Sequence, residues 1–328
     1  MHATPSDFTS TPGSAAQPNA GPIVGPDAGQ NARPVALITG AARRIGRAIA
    51  LELAAHGWDI AVHCHRSLAD AQATADQATQ LGARAEVFSV DLADTQACAT
   101  LVPALLLRCG RLDAVVNNAS LFEYDDVASF SSATMDRHWR ANTAPAVLLA
   151  RALHEHLCQR RADSAASSGA VNGGATGSRA PDNSAASGCV VNVLDQKLAN
   201  PNPDYFSYTL SKAALEVAGT MLAQALAPVV RVCAVSPGVT LLSGAMSALE
   251  FSAAHQMTPL ERSSTPQDIA RAVRFLLESP AITGTTLLVD GGQHLRAQPR
   301  DVMFIAQQGL AAARPLVNAP VIGPTGQS

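Results

Sequence analysis

The sequence predicts an α/β fold in which seven parallel strands form one doubly wound sheet with helices on both faces. From Val35 onward, short runs rich in Val, Ile and Leu alternate with longer helical patterns, which is typical of repeated βαβ units. These runs are almost wholly apolar, as expected of strands that are buried on both faces. A glycine-rich turn, with Gly40 and Gly46, lies at the first junction between a strand and a helix.

The strands are predicted at residues 35–39, 60–63, 85–90, 114–117, 189–194, 230–235 and 286–289. The helices between them are predicted to begin near Arg44, Leu68, Asp94, Thr134, Tyr205 and Thr265. The last of these boundaries is the clearest, because Thr265 can cap a helix whose first position is Pro266.

We expect residues 34–296 of the 328-residue chain to form a single domain. Residues 1–33 contain five prolines, four glycines and only three Asp, Arg or Lys residues, so they are predicted to be a disordered leader. Residues 161–188 are rich in Ser, Gly and Ala and are predicted to be a flexible surface insertion. Residues 297–328 are a C-terminal tail, in which 301–306 are apolar enough to pack while the end is expected to be loose.

The composition disfavours several kinds of partner. A net charge of -3 without a long basic block argues against binding to nucleic acid. No run approaches the roughly 18 apolar residues that span a bilayer, and no secretory signal pattern is present. The six cysteines are scattered without a C-x-x-C pair, which argues against a disulfide framework or a zinc site. We therefore expect a cytoplasmic protein that binds a small molecule and no metal.

The turn at Gly40 and Gly46 predicts a dinucleotide site. It leads from a buried strand into a helix, as in the first crossover of a Rossmann-type fold, where N–H groups at a helix N-terminus receive a pyrophosphate. Gly40 permits the tight turn and Gly46 the close approach of the backbone. An ordinary glycine turn is the alternative. Asp91, at the end of the third strand, can accept a hydrogen bond from the adenine amine, or can instead cap the next helix.

The end of the second strand favours NADP over NAD. An NAD-binding protein usually has an acidic residue here, against the ribose 2′-hydroxyl, but the sequence is His63-Cys-His-Arg-Ser67. Arg66 and Ser67, with His63 or His65 nearby, offer donors for a 2′-phosphate. A metal site in this segment is disfavoured because no further ligands occur at a supporting spacing.

Tyr208 and Lys212 are a candidate catalytic pair. They are four residues apart, about one helical turn, and so share one face of a helix. A cation there would lower the pKa of the phenol from about 10 towards a range useful for proton transfer. The alternative is an amphipathic helix with a solvated lysine. Asp195, which lies thirteen positions before Tyr208, is a third candidate catalytic residue.

The order of these motifs resembles that of the short-chain dehydrogenase/reductase family over residues 34–295. The matching segments are Thr39-Gly40 to Gly46, Asp91, Asn117-Asn118-Ala119, Asn142, Tyr208 with Lys212, Pro237-Gly238 and Asp290-Gly291-Gly292. The resemblance implies that Asn142 holds a water in a proton relay to Lys212, which binds the nicotinamide ribose and tunes Tyr208. It also implies that the cofactor contacts include Ile45, Leu92, Asn118, Ala119, Ser120, Pro237 and Gly238.

Two departures from the family pattern resemble the pteridine reductases. Arg44 replaces the middle glycine of the turn, and Asp195 replaces the usual catalytic Ser. This resemblance implies that Phe122 stacks on a pterin and that Ser120 and Arg44 bond the ligand and the cofactor phosphates. It further implies that Tyr205 helps to position Asp195, so that the substrate contacts are Arg44, Ser120, Phe122, Asp195, Tyr205 and Tyr208. From the sequence alone, core packing is an equal alternative for Phe122.

The chemistry of a carboxylate agrees with the substitution at Asp195. A Ser hydroxyl can steady the alkoxide that forms from a carbonyl, whereas a carboxylate would repel that charge. Reduction of a ring C=N requires the nitrogen to gain a proton. An Asp can bind the N–H donors of an amino-pyrimidine, or pass a proton if burial raises its pKa. The alternative for Asp195 is a turn residue paired with Lys197.

We therefore predict NADPH-dependent reduction of a pterin, such as dihydrobiopterin, dihydromonapterin or dihydrofolate, by hydride transfer to a ring C=N. A carbonyl reductase acting on a ketone or aldehyde is the alternative enzyme. A catalytically silent NADP-binding sensor is the alternative from another class. Residues 241–262 are expected to form a substrate lid, with Met246, Phe251, His255 and Met257 as candidate wall residues. The family resemblance also implies a homotetramer that forms through helices at residues 134–160 and 205–226.

Overall fold

The computed structural model describes residues 33–169, 187–242 and 246–313. The strands in these residues are β1 (Val35–Ile38), β2 (Asp59–Cys64), β3 (Ala85–Ser89), β4 (Ala114–Asn117), β5 (Gly188–Val193), β6 (Val230–Pro237) and β7 (Thr286–Val289). They form one parallel sheet in the order β3-β2-β1-β4-β5-β6-β7. The predicted fold class is confirmed, and the predicted strand ends agree with the observed ones to within two residues.

The α-helices in the described residues are α1 (Arg44–Ala55), α2 (Leu68–Gln80), α3 (Thr95–Cys109), α4 (Ser132–His138), α5 (Ala144–Gly169), α6 (Phe206–Ala225), α7 (Ala248–Gln256), α8 (Pro266–Glu278) and α9 (Val302–Ala313). Helices α1, α2 and α8 cover one face of the sheet, and α3, α5 and α6 cover the other. Alternation along β1 shows why two layers form, since Ala36 and Ile38 join one core while Val35 and Leu37 join the other. None of the described helices is long and apolar enough to cross a membrane.

The strand order reverses between β1 and β4, which lie side by side at the centre of the sheet. In an open parallel sheet, the connections that leave the two strands at such a point run to opposite faces and leave a crevice at the carboxyl ends. Gly40 follows β1 at this edge, and Asn118 follows β4. The fold therefore places the glycine turn and the segment after β4 on one crevice.

The start of α8 confirms the helix boundary predicted at Thr265. The Thr265 hydroxyl accepts a hydrogen bond from the Asp268 N–H, while the Asp268 carboxylate accepts one from the Thr265 N–H. Pro266 occupies the first helical position, where its missing N–H has no cost.

The helix predicted over residues 134–160 is interrupted in the structure. Helix α4 ends at His138, a π-helical turn spans Trp139–Thr143, and α5 begins at Ala144. The turn directs two buried polar side chains inward, and the Thr143 hydroxyl donates to the Ser211 carbonyl of α6 at 2.8 Å. Single-turn π segments are frequent at functional sites. The π-helical turn thus accompanies a tertiary hydrogen bond to α6, which the local sequence pattern does not predict.

Two of the predicted boundaries differ from the observed ones. Helix α5 continues to Gly169, so residues 161–169 of the predicted insertion are helical. Helix α9 lies in the predicted tail, and its Val302 and Ala306 are buried against Ala254 of α7. Residues 1–32 of the predicted leader, 170–186 of the insertion and 314–328 of the tail lie outside the described residues.

Candidate active site

A cleft of about 410 Å³ opens at the carboxyl ends of the central strands. It brings together residues that are far apart in the sequence, from the glycine turn, the segment after β4, the end of β5, helix α6 and the segment after β6. The predicted site residues that line it are Arg44, Ile45, Asn118, Ser120, Phe122, Asp195, Tyr205, Tyr208, Lys212, Pro237 and Gly238. The wall residue predicted at Met246 also lines the cleft.

Tyr208 and Asp195 form the polar centre of the cleft. The Tyr208 hydroxyl donates to Asp195 Oδ2 at 2.9 Å, and the Lys197 backbone N–H donates to Asp195 Oδ1 at 2.9 Å. Lys212 Nζ donates to the Val193 carbonyl at 2.7 Å and lies 5.9 Å from the centroid of the Tyr208 ring. Hydrogen bonds therefore fix the side chains of Asp195, Tyr208 and Lys212, either to one another or to the backbone at the end of β5.

The ionisation of this centre differs from the sequence expectation. Burial raises the pKa of Tyr208 well above its ordinary value, and the neighbouring Asp195 carboxylate adds to the increase. Burial also raises the pKa of Asp195 and lowers that of Lys212 to about 8. The predicted lowering of the pKa of Tyr208 by Lys212 is thus opposite to the direction found in the structure. The main cause is burial of the phenol, and the Asp195 carboxylate, which accepts a hydrogen bond from the Tyr208 hydroxyl, adds to it.

Aromatic side chains form one side of the cleft. Phe122 stacks on Tyr205 with ring centroids 4.2 Å apart and meets Tyr208 edge-on at 4.7 Å. Phe122 is 44% exposed, which excludes the core-packing alternative for it. Tyr205 is buried and shows no hydrogen bond to Asp195, which is instead held by Lys197 and Tyr208. The role predicted for Tyr205 in positioning Asp195 is therefore not seen, and its ring supports Phe122.

Asn142 lies behind the cleft, in the π-helical turn. Its amide N–H groups donate to the Leu121 carbonyl at 3.0 Å and to the Ser211 hydroxyl at 2.9 Å. Its Oδ1 accepts from the Leu121 N–H at 2.6 Å and from the Ser120 hydroxyl at 3.3 Å. This side chain therefore fixes the segment that carries Ser120 and Phe122, and its amide is committed to protein partners.

The glycine turn fits a bound pyrophosphate. Gly40 has φ +65°, and a Cβ on Gly46 would lie 2.4 Å from the Gly40 carbonyl oxygen and 2.5 Å from Asn118 Nδ2. Only glycine therefore allows the close approach of helix and turn. The N-cap residue of α1, Arg43, contributes no side-chain hydrogen bond to the helix, which agrees with a helix N-terminus that receives an anion.

Arg44 has a strained backbone where the family pattern has glycine. Its φ of +56° lies in the left-handed region, which costs a non-glycine residue of order 1 kcal/mol. Its guanidinium donates to the Leu242 carbonyl at 2.9 Å, across the mouth of the cleft. Arg44 therefore links the cofactor turn to the predicted lid.

The adenosine end of the predicted cofactor site requires one correction. His63 is buried, accepts a hydrogen bond from the Gly40 N–H at 3.2 Å through Nδ1, and lies 3.0 Å from the Val90 carbonyl through Nε2. Both ring nitrogens are occupied, and burial lowers the pKa of His63 to about 4, so it is a neutral structural residue. The prediction that His63 helps to bind a 2′-phosphate is wrong for this reason.

The other residues predicted at this end lie near the surface. His65, Arg66 and Asp91 are exposed, Ser67 is half-buried, and Leu92 is buried. His65 Nε2 lies 3.6 Å from Asp91 Oδ2. Asp91 is not the cap of the next helix, because Asp94 accepts the N–H groups of Gln96 and Ala97 at the start of α3. Ala119 lies beside the glycine turn, with its N–H donating to the Thr39 hydroxyl at 3.0 Å.

The structure also places residues in the cleft that the sequence did not predict. The C-terminal residues Asp301, Val302 and Met303 line it. Lys197 is buried immediately behind Asp195, and its ammonium donates to the Asp204 carbonyl and lies 3.6 Å from Asp301 Oδ2. In the part of the chain that the structure describes, no group of His, Cys, Asp or Glu could hold a metal ion.

Comparisons with known proteins agree with this architecture. Residues 34–181 match the family model described as short chain dehydrogenase, and residues 175–294 match that described as enoyl-(acyl carrier protein) reductase. The chain is 31% identical over 302 residues to pteridine reductase 1 of Leishmania tarentolae, covering 80% of this chain and 96% of that protein. The chain therefore belongs to the short-chain dehydrogenase family, as the order of its motifs predicted.

A solved structure supports the resemblance to the pteridine reductase branch. FolM alternative dihydrofolate reductase 1 of Brucella canis, complexed with NADP, is 37% identical with a TM-score of 0.69 and covers 81% of this chain and 96% of that chain. Carbonyl-reducing relatives are also similar, since the granaticin polyketide synthase putative ketoacyl reductase 2 of Streptomyces violaceoruber is 32% identical over 270 residues, covering 80% of this chain and 96% of that protein. Membership of the family makes this chain an oxidoreductase, and the choice of substrate depends on the site.

Proposed function

We propose that this protein is an NADPH-dependent reductase that acts on a ring C=N bond of a dihydropterin. The observation that carries the proposal is the 2.9 Å hydrogen bond from Tyr208 to Asp195, at the position where the family pattern has Ser. The similarity to a pteridine reductase and to an NADP-bound alternative dihydrofolate reductase supports it. The homotetramer and the cytoplasmic location that we predicted remain part of the proposal.

Residues in the cleft and in the adjoining glycine turn and β2–α2 segment suit NADPH. Gly40 and Gly46 would hold the pyrophosphate at the start of α1, and Arg66 and Ser67 would hold the 2′-phosphate. Lys212 would bind the nicotinamide ribose, and Pro237 and Gly238 would border the ring. A Cβ on Gly238 would lie 2.6 Å from Ser263 Oγ, which accounts for the glycine next to the ring. When bound, the cofactor supplies a hydride to the substrate.

The protein's part in the chemistry is to deliver the proton. Reduction of C=N adds hydride to carbon and a proton to nitrogen, so an acid must lie beside the nitrogen. Because burial raises the pKa values of both Asp195 and Tyr208, the pair can retain a proton near neutral pH. A protonated Asp195 or the Tyr208 hydroxyl can donate that proton, and an ionised Asp195 can accept the N–H donors of an amino-pyrimidine.

The aromatic wall suits a flat heterocycle. Phe122 is backed by Tyr205 on one face and keeps 44% of its surface exposed. A pterin ring could therefore stack against it, with the nicotinamide on the opposite side of the pterin. This arrangement would orient the ring with one edge towards Asp195 and Tyr208.

A carbonyl reductase is the second candidate function, because the similarity to a putative ketoacyl reductase is comparable. The two functions make opposite demands on the residue at position 195. A developing alkoxide requires a neutral donor, whereas a ring nitrogen requires an acid. A catalytically silent NADP-binding protein would bind NADPH and reduce neither kind of substrate.

The test is NADPH oxidation with 7,8-dihydropterins and with a ketone panel, using the wild-type protein and Asp195→Ser. We expect pterin reduction by the wild-type protein, and a loss of about 100-fold or more in kcat/KM in the variant, because general acid catalysis typically contributes that much. Asp126→Ser is the matched control, since Asp126 is a half-buried acid that does not line the cleft. Undiminished pterin activity in Asp195→Ser, or activity on ketones alone, would contradict the proposal.

A further inference from the structure

The C-terminal segment Arg300–Met303 forms part of the cleft wall. Asp301, Val302 and Met303 line the cleft together with Asp195 and Tyr205. Helix α9 begins directly after Asp301, whose Oδ1 accepts the Met303 N–H at 3.1 Å. The wall is thus the first turn of a packed helix that begins where the chain meets the active site.

A buried carboxylate fixes this segment to the catalytic helix. Asp204 is buried, and both of its oxygens accept from Arg300, with the Nη2 to Oδ1 and Nε to Oδ2 distances both 2.8 Å. The Asp301 N–H donates to the same carboxylate at 2.7 Å. Two-pronged Arg–carboxylate pairs add geometric precision. Because Asp204 lies next to Tyr205 at the start of α6, the position of Asp301 is set relative to Tyr208.

Of the charged pair at this wall, the carboxylate of Asp301 faces the cleft and the ammonium of Lys197 does not. The Asp301 side chain is 22% exposed and lines the cleft, whereas its partner Lys197 is 5% exposed and lies behind it. Asp195 is a second carboxyl group on the same wall. The cations that line the cleft, Arg44 and Lys212, are directed to the Leu242 and Val193 carbonyls instead.

We propose that Asp301 is a specificity-determining residue, which accepts hydrogen bonds from an uncharged, hydroxyl-bearing substituent on the substrate ring and disfavours an anionic one. The inference rests on the proposed function, because it concerns the part of a dihydropterin that projects beyond the reduced ring. A hydroxyl can donate to a carboxylate, whereas a second carboxylate meets like-charge repulsion. The ion pair with Lys197 reduces the repulsion between Asp301 and an anionic substituent but does not remove it. The Lys197 ammonium lies on the side of Asp301 that faces away from the cleft.

The test compares kcat/KM for dihydrobiopterin, which has a hydroxylated substituent, with that for dihydrofolate, which has a glutamate tail. We expect Asp301→Asn to raise the dihydrofolate to dihydrobiopterin ratio of kcat/KM by about fivefold, mainly through KM, because one negative charge at close range is removed. The change should shrink at high salt, which screens charges but does not restore packing. Asn also caps helices well, so α9 should be retained.

Two further variants separate charge from structure. Asp301→Glu keeps the charge and should keep the wild-type preference, while Asp76→Asn removes an exposed acid from α2 and should change nothing. An unchanged substrate ratio in Asp301→Asn, or a change that is the same at low and high salt, would overturn the inference alone. Failure of the wild-type protein to reduce either substrate would instead overturn the proposed function, and this inference with it.

Discussion

Asp195 and Tyr208 show how far single residues can be predicted from sequence. Their identity and their proximity could be predicted from spacing and from the family pattern. The direction of the pKa of Tyr208 could not, because it depends on burial and on the orientation of the Asp195 carboxylate. Similarly, the sequence suggested that His63 lies near a phosphate, but its ring is directed inward between Gly40 and Val90.

Arg66 provides a test of cofactor choice. It is exposed just before α2, and we propose that its guanidinium binds the 2′-phosphate. We expect Arg66→Ala to weaken use of NADPH by about tenfold to a hundredfold, since a charge-assisted hydrogen bond contributes roughly 1.5–3 kcal/mol. Use of NADH should be unchanged. The measurement is kcat/KM for each coenzyme, with Arg151→Ala on α5 as an exposed control. Equal use of both coenzymes by the wild-type protein would contradict the assignment.

His63 should make stability sensitive to mild acid. Burial lowers its folded-state pKa to about 4, whereas the unfolded value is about 6.5. Between these values the unfolded chain binds more protons than the folded one, so the free energy of unfolding falls as pH falls, by about 3 kcal/mol in total. Urea unfolding at pH 7, 5.5 and 4.5 measures this slope. His63→Asn should be less stable at pH 7 but less sensitive over that range, and equal slopes would refute the interpretation.

Among the structural elements, α6 carries Tyr208 and Lys212, and its N-terminus is held by a residue from outside the helix. Asp125 is buried and accepts the Ser207 N–H at 2.9 Å together with the Ser207 hydroxyl. Tyr205, the N-cap residue of α6, has a left-handed conformation and makes no side-chain cap hydrogen bond. Asp125 therefore caps the helix in its place. The segment after β4 and helix α6 are therefore joined at this point.

The substitution Asp125→Ala should break the connection between the segment after β4 and the start of α6. We expect a loss of about 1–2 kcal/mol in the free energy of unfolding, the usual cost of deleting a helix cap. A fall in kcat should accompany it because Tyr208 loses its fixed position. Denaturant unfolding and steady-state kinetics measure the two effects. Asp126→Ala, at the neighbouring half-buried residue whose carboxylate bonds Ser129 rather than α6, should leave kcat near the wild-type value. Equal effects of the two substitutions would show that the cap does not position the helix.

The segment predicted to be a lid, residues 241–262, contains a helix start that the sequence could have revealed. Ser247 caps α7, and Glu250 accepts the Ser247 N–H in return. This is the S-x-x-E pattern that marks helix starts, and it is visible at positions 247–250. The burial of α9 against α7 has no such local signal, because it joins residues far apart in the sequence, Val302 and Ala306 with Ala254.

For the whole molecule, the parallel sheet and its seven strands were predictable because buried strands and connecting helices alternate throughout the domain, whereas the order of the strands was not predicted. The contents of the cleft were predictable where the family pattern supplies them, as for Gly46 and Lys212. The C-terminal wall was not, since long-range ion pairs leave no periodic trace. Local patterns therefore predicted the scaffold better than the shape of the substrate site.

Assembly is a further property of the whole molecule. Leu210, Val217 and Met221 are 43%, 61% and 64% exposed along one side of α6, and a row of exposed apolar residues is typical of an interaction surface. We expect light scattering to give a homotetramer. Joint Val217→Glu and Met221→Glu substitution should reduce its mass, whereas Leu107→Glu on α3, also exposed, should not. A monomeric wild-type protein would contradict the predicted assembly.

The left-handed conformation of Arg44 has a consequence for engineering. A search for thermostable variants would favour Arg44→Gly, because glycine adopts φ +56° without strain. The same substitution would remove the guanidinium that reaches Leu242, a residue 198 positions away. At position 44 we therefore expect selection for heat resistance and selection for turnover to act in opposite directions.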